Sequence, residues 1–351
     1  MIRRALSQVR RAGLEALVRE AARRLPARAV EHPRSIFVLR NNDVGDLLVV
    51  TPLFDALRRR FPEAEIVAGV GSWNVDVLRG NPHVSEVLPV DAPWFNKYER
   101  SGSRWSYVRR SPQVAELARR RFDVGIDVLG SPWGSLLLLR AGIPCRLGVR
   151  GYAGGDSAAS ACVTFDPGEH VGRSALRFAE LLGVGGSDLP PNRPQIFLSA
   201  EEREAGERLW GPRRRVLVGP GGGLEVKRWP RERFAELIRR LPEDLDVVVT
   251  GGPMERGLAA ELAGERARSL PDLSLRETFA LAAAADLVFC NSSMLLHAAA
   301  AFAKPTVVLL GPSFRSAEQH QAQWGYPTGR TLGRDATPED ALAAAREVGG
   351  L

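Results

Sequence analysis

At 351 residues, 44% hydrophobic and 25% charged, the chain has apolar content for two globular domains, and no apolar run reaches the length of a membrane span. Three cysteines, Cys145, Cys162 and Cys290, form no CxxC pair, so neither a disulfide framework nor a zinc site is expected and a reducing compartment is implied. The net charge of +7 is concentrated in residues 1–30, where eight arginines and two glutamates give +6, and the near-neutral remainder argues against nucleic acid as a partner.

In chain order, that basic stretch comes first. Ile2, Leu6, Val9, Gly13, Leu17, Ala21 and Leu25 recur at spacings of three and four until Pro26 stops the pattern. Two readings are open: a surface helix packed on the body, or a basic amphipathic helix lying on an anionic membrane face. The start has no uninterrupted apolar core and no small-residue cleavage site, so it does not read as a signal peptide.

From residue 35, short β-type runs alternate with helical patterns. Strands are predicted at 35–39, 65–70, 86–90, 123–127 and 146–149, with helices such as "TPLFDALRRRFP" and "SPQVAELARRRF" between them. Residues 171–212 include a helical "VGRSALRFAELLG" but are otherwise rich in Pro and Gly and read as a connecting region. A second series places strands at 215–218, 246–250, 287–290 and 306–310. Strand–helix alternation predicts α/β domains with parallel sheets covered by helices. The expected organisation is a basic helix (1–30), a Rossmann-like domain (31–170), the connector (171–212) and a second Rossmann-like domain (213–351), the two domains facing a central cleft.

Four loops carry candidate chemistry. "VLRNNDVGDLLVVTP" places Asp43 and Asp46 at a strand-to-helix junction, where open α/β sheets place ligands; each reads as a helix cap or as a general base. "VLVGPGGGLEVKRWP" follows a strand with Gly219, Gly221, Gly222, Gly223 and then Lys227, which suits an anion cradle or an ordinary flexible loop. It matches neither a Walker loop nor G-x-G-x-x-G. In "VVVTGGPMERG", Glu255 either complements a helix dipole or accepts hydrogen bonds from a ribose or base. In "LVFCNSSMLLHAAAAFAKP", Asn291, Ser292 and Ser293 are good helix N-caps at a potential anion site, and His297 reads equally as structural or functional.

Taken together, "RNNDVGDLLVVTPLFDALRRRFP", "GPGGGLEVKRWPRERFAEL", "VTGGPMERGLAAELA" and "NSSMLLHAAAAFAKPTVVLLGPS" resemble, in order and across residues 35–315, the heptosyltransferase family of GT-B glycosyltransferases. The resemblance implies an inverting, metal-independent transfer from a nucleotide sugar, an ADP-sugar co-substrate with no other cofactor, to a hydroxyl of a lipopolysaccharide-core or related glycan or glycolipid acceptor. It implies Asp46 as the base, with Asn42, Asp43 and Gly45 on the acceptor side. Lys227 falls at the donor diphosphate, Glu255 at the nucleotide, and His297 at the diphosphate or sugar. A cytoplasmic enzyme, peripheral on the inner face of the membrane, follows from the same likeness.

One departure stands out. Where the family reads Asn-Asp-Thr/Ser-Gly, this chain reads Asn291-Ser292-Ser293-Met294, which replaces a carboxylate by a hydroxyl and a glycine by a bulky thioether. That keeps open a same-fold enzyme with another donor or a protein or secondary-metabolite acceptor, and, further off, a nucleotide-sugar-binding protein without transfer activity. The lone D-x-D, Asp244-Leu245-Asp246, reads as a turn before a strand rather than a metal motif.

Overall fold

The computed structural model describes residues 2–99 and 102–351, the side chains of residues 2–10 and of Ser187 excepted. Two compact units divide the chain: Met1–Pro167 with Val171–Asn192, and Gly168–His170 with Arg193–Leu351.

The first unit is built on a six-stranded parallel sheet: β1 (Ser35–Leu39), β2 (Glu65–Val70), β3 (Glu86–Pro89), β4 (Val124–Asp127), β5 (Cys145–Arg150) and β6 (Ala161–Thr164), in the order β3-β2-β1-β4-β5-β6. The central strands read as unbroken apolar runs because helices cover both of their faces. Phe37, Leu39, Val67, Phe122, Leu137 and Ile143 form part of one such core. There the ring of Phe37 lies across Gly69, where an added Cβ would meet it at 2.3 Å. The register sets Leu39 opposite Gly69 on one side and Asp127 on the other, so the ends of β1, β2 and β4 lie level.

The second unit repeats the plan with β7 (Arg214–Gly219), β8 (Leu245–Thr250), β9 (Arg268–Leu270), β10 (Leu287–Asn291), β11 (Thr306–Leu309) and β12 (Gly329–Leu332), in the order β12-β11-β10-β7-β8-β9. Val216, Val218, Trp229, Phe234, Leu237, Phe289 and Leu309 anchor its core. This is the α/β, GT-B plan of two parallel, helix-covered sheets that the sequence predicts. Each sheet has more strands than expected, because the short strands β6, β9 and β12 carry no strong apolar run.

Residues 171–212 are shared between the units. Helix Val171–Leu181 packs on helix Pro52–Arg60 in the first, while helix Ala200–Arg208 packs on helix Leu275–Ala284 in the second. The latter contact is close, since a Cβ on Gly206 would lie 2.5 Å from the carbonyl oxygen of Ala280. Asp246 is the second residue of β8 rather than part of a turn, and its carboxylate binds Arg268 at 2.9 and 3.0 Å.

The N-terminal helix spans Ile2–Arg24. Val18 is fully buried and, with Leu14, Ala21, Ala22 and Leu25, packs against Leu136, Leu139 and Ala158. Leu17, expected on the packing face, is 60% exposed, so the seated face is rotated from the predicted stripe. The expected positions Ile2, Leu6 and Val9 lie outside the described side chains. Arg11, Arg19, Arg23 and Arg24 point to solvent. Among the described residues, no helix is long and apolar enough to cross a membrane.

Candidate active site

In the first unit the candidate site begins where β1 ends. Arg40, Asn41 and Asn42 are all buried. The amide of Asn41 donates to the carbonyl of Ala92 (3.3 Å) and that of Asn42 to the carbonyl of Phe95 (2.7 Å). In return, the Asn42 carbonyl accepts from the Trp73 indole (2.9 Å) and from Asn74 (2.7 Å). The turn is thus clamped from two flanking loops. One of them holds Phe95 at φ 58°, a left-handed conformation that a bulky residue adopts only under strong constraint.

Asp43 occupies the N-cap position of helix Val44–Leu48 with extended backbone, but its side chain makes no capping hydrogen bond. Gly45 and Asp46 form the first turn. The Asp46 carboxylate is one-third exposed; its Oδ1 accepts from Nη2 of Arg40 at 3.3 Å, and its main-chain oxygen accepts from Arg40 Nε at 3.0 Å. A second carboxylate, Asp127, sits at the end of β4 and is buried. Burial pushes its pKa up to about 6, against the opposing pull of the Ser131 and Gly130 amides and of the Arg40 charge. Its Oδ2 accepts from the Ser131 amide at 2.9 Å. Arg40 opens the quoted aspartate stretch without being singled out there, and no motif marks Asp127, whose only sequence signal is a charged residue at the end of a buried strand.

In the second unit, four strand ends contribute. Asn291, at the end of β10 and 1% exposed, spends its whole amide on the backbone. Its Nδ2 donates to the carbonyls of Pro220 and Gly221, and its Oδ1 accepts from the Trp229 amide at 2.9 Å. It therefore shapes the glycine loop after β7 rather than presenting a free group. Gly219 has no room for a side chain, because an added Cβ would lie 2.5 Å from Leu295 Cδ2; at Gly222 the added contact is an ordinary 3.7 Å. Gly223 and Lys227 are exposed, Lys227 on the single turn Glu225–Lys227. Among the described residues no carboxylate lies within ion-pair distance of Lys227. Its carbonyl accepts from the Gly311 amide at 3.1 Å, and that of Val226 from the Ser313 amide at 3.0 Å.

Glu255 is held from both sides. Oε2 accepts from the Gly252 amide at 3.0 Å and Oε1 from Arg228 at 3.1 Å, and Arg228 also donates to the Gly222 carbonyl. Both the dipole-type and the ligand-type readings of this residue thus meet a carboxylate that links two strand-end loops.

Ser293 caps helix Met294–Ala301, accepting from the Leu295 amide. The hydroxyl of Ser292 lies 2.8 Å from Nε2 of His320, whose Nδ1 is 3.4 Å from Thr331 Oγ1. His297 is buried, its Nδ1 2.7 Å from the Tyr326 hydroxyl and its ring edge-on to Trp324 and Tyr326. Burial lowers its pKa to about 3, with His170 and His320 adding to the effect. His170 falls to about 4 by burial, and His320 to about 4 by burial and the nearby Lys227 charge. All three imidazoles are neutral at physiological pH, so each has one donor and one acceptor nitrogen. Sequence reasoning singled out only His297. His170 and His320 lie far from any motif and reach the cluster through the fold.

Two units, each a six-stranded parallel sheet covered by helices, have the architecture of the GT-B glycosyltransferases. The model of glycosyltransferase family 9 (heptosyltransferase) matches residues 113–320, more than half of the sequence, and the chain belongs to that family. It is 28% identical over 298 residues to lipopolysaccharide heptosyltransferase 2 of Salmonella typhimurium, covering 79% of this chain and 83% of that one. Among solved structures it resembles Escherichia coli ADP-heptose lps heptosyltransferase II (TM-score 0.71, 24% identity, 90% of this chain and 98% of that one). It also resembles E. coli heptosyltransferase WaaC with ADP-2-deoxy-2-fluoro heptose (TM-score 0.70, 18% identity, 89% and 99%).

Proposed function

We propose that the protein transfers heptose from ADP-heptose to a hydroxyl of a lipopolysaccharide-core or related envelope glycan, with inversion and without a metal. The observation that carries this reading is the partly exposed Asp46 carboxylate, held by a buried arginine at the end of β1. The names of the relatives supply the donor and acceptor class. Asp46 takes the proton of the acceptor hydroxyl as its oxygen attacks the anomeric carbon, and the bond to the nucleotide diphosphate breaks. The exposed Lys227 ammonium, the backbone amides of residues 219–223 and the helix N-terminus at Ser293 stabilise the charge on the departing phosphate. Glu255 and Arg228 together border the nucleotide, and Ser292 borders the sugar.

The test has two arms. ADP and ADP-heptose should raise the melting temperature, because each binds only the folded chain; a shift with UDP- or GDP-sugars alone would end the ADP reading. Asp46→Asn should then lower ADP release to a small residual rate while Asp43→Asn retains it, and the reverse outcome would move the base to Asp43.

A second reading, the same chemistry with a different sugar, is favoured by the Ser292–His320 pair, which is neutral where the family pattern carries a carboxylate. As to location, we propose a cytoplasmic enzyme peripheral on an anionic membrane surface. Because Leu14, Val18 and Ala22 are seated on the body, such contact runs through the outward arginines and Leu17.

A further inference from the structure

We infer that Arg40 is a positioning residue for Asp46, aiming one carboxylate oxygen outward. The inference rests on Asp46 being the base and adds how its geometry is set.

The Arg40 side chain is only 5% exposed, and a guanidinium so far from water persists only where anions and carbonyls surround it. It grips Asp46 twice: Nε holds the main-chain oxygen at 3.0 Å and Nη2 holds Oδ1 at 3.3 Å. Two contacts from one rigid, planar fork fix both the helix turn and the side-chain direction. Among the described residues nothing in the protein hydrogen-bonds Oδ2 of Asp46, so that oxygen is left to accept a proton while Oδ1 is tethered.

Asp127 is built in from the other side. The parallel register sets it beside Leu39, the residue before Arg40, and the Arg40 charge opposes the rise that burial imposes on its pKa. Helix Pro132–Arg140 leaves its carboxylate a cradle that only glycine allows, since a Cβ on Gly134 would lie 1.9 Å from Asp127 Oδ2.

The experiment is a mutant cycle on the full chain, reading ADP release from ADP-heptose with an acceptor, and donor affinity by titration. Arg40→Met should lower kcat at least tenfold and leave donor Kd within twofold. Arg40→Lys should recover part of that loss, because a lysine can hold one of the two oxygens. In the Asp46→Asn background, Arg40→Met should cost less than twofold, because a residue acting through Asp46 has nothing left to position. Should Arg40→Met fail to fold, Arg40→Met/Asp127→Asn removes both buried charges together and takes its place in the cycle. A further tenfold loss on top of Asp46→Asn, or full activity in a folded Arg40 variant, would overturn the positioning role alone. Wild-type rates in Asp46→Asn would overturn the base assignment and this inference with it.

Discussion

His320 Nε2 and Ser292 Oγ lie 2.8 Å apart, a hydrogen bond between β12's neighbouring helix Ala317–Trp324 and the residue that follows β10. The imidazole is neutral, held so by burial and by Lys227. The pair therefore presents dipoles and no net charge.

Restoring a carboxylate there tests its part in donor choice. Ser292→Asp should change the ratio of kcat/KM between ADP-heptose and other ADP-sugars by at least tenfold, and should raise the His320 pKa, measurable by NMR titration, because a nearby anion favours the imidazolium. Unchanged ratios would remove Ser292 from sugar selection.

The buried histidines set an acid limit on the second unit. Their folded pKa values, about 3 for His297 and about 4 for His170 and His320, lie below the ordinary 6.5. The native state thus binds fewer protons than the unfolded chain between these values. The stability they contribute is present above about pH 6.5 and is lost as pH falls towards 4. Melting followed by circular dichroism should show this decline, and His320→Gln should make it shallower.

Asp127 acts in the opposite sense. Its folded pKa of about 6 exceeds the ordinary 3.8, so its favourable share is full below pH 3.8 and lost as pH rises through 6. Relative to the wild type, Asp127→Asn should gain about 2 kcal/mol between pH 4 and pH 7. Paired chemical-denaturation curves at the two pH values measure the difference, and a pH-independent offset would mean that Asp127 does not titrate in this range.

Asn291 is predicted to matter for shape rather than for contact. Asn291→Ala leaves the Trp229 amide and the carbonyls of Pro220 and Gly221 unpaired, at a cost of about 2–3 kcal/mol. Loosening of the glycine loop should weaken ADP binding about tenfold, readable by calorimetry; wild-type ADP affinity in a destabilised variant would confine Asn291 to the core.

For the basic helix, deletion of residues 1–30 is a poor probe, because it also uncovers the Val18 seat on Leu139 and Ala158. Arg23→Glu/Arg24→Glu leaves that seat intact. It should abolish flotation with anionic vesicles at 50 mM salt while keeping the melting temperature, and equal flotation would remove the membrane reading.

The central strands were legible because burial on both faces writes them as runs such as "SIFVL" and "EIVAGV", whose bounds match β1 and β2. The edge strands "ACVT", "RSL" and "GRTL" are short and half-covered, so they lack that signal. The N-terminal helix was legible as a helix but not in phase. Leu14, Leu17, Val18 and Ala21 offer apolar residues around much of its girth, and Leu139 and Ala158 decide which of them are seated. The glycine loops and aspartate turn announce themselves locally. Arg40, Asp127, His170 and His320 do not, because each meets its partners only through strand order and register.

Gly311 has a consequence for motion. A Cβ there would lie 2.3 Å from the carbonyl oxygen of Arg228 and 2.5 Å from the carbonyl carbon of Lys227, and the Gly311 amide donates to the Lys227 carbonyl. The segment bearing the lysine and the one after β11 are therefore one mechanical piece, which opens as a unit or not at all. Hydrogen exchange at the amides of Gly311 and Ser313 should follow a common opening rate, slowed together when a diphosphate settles on Lys227.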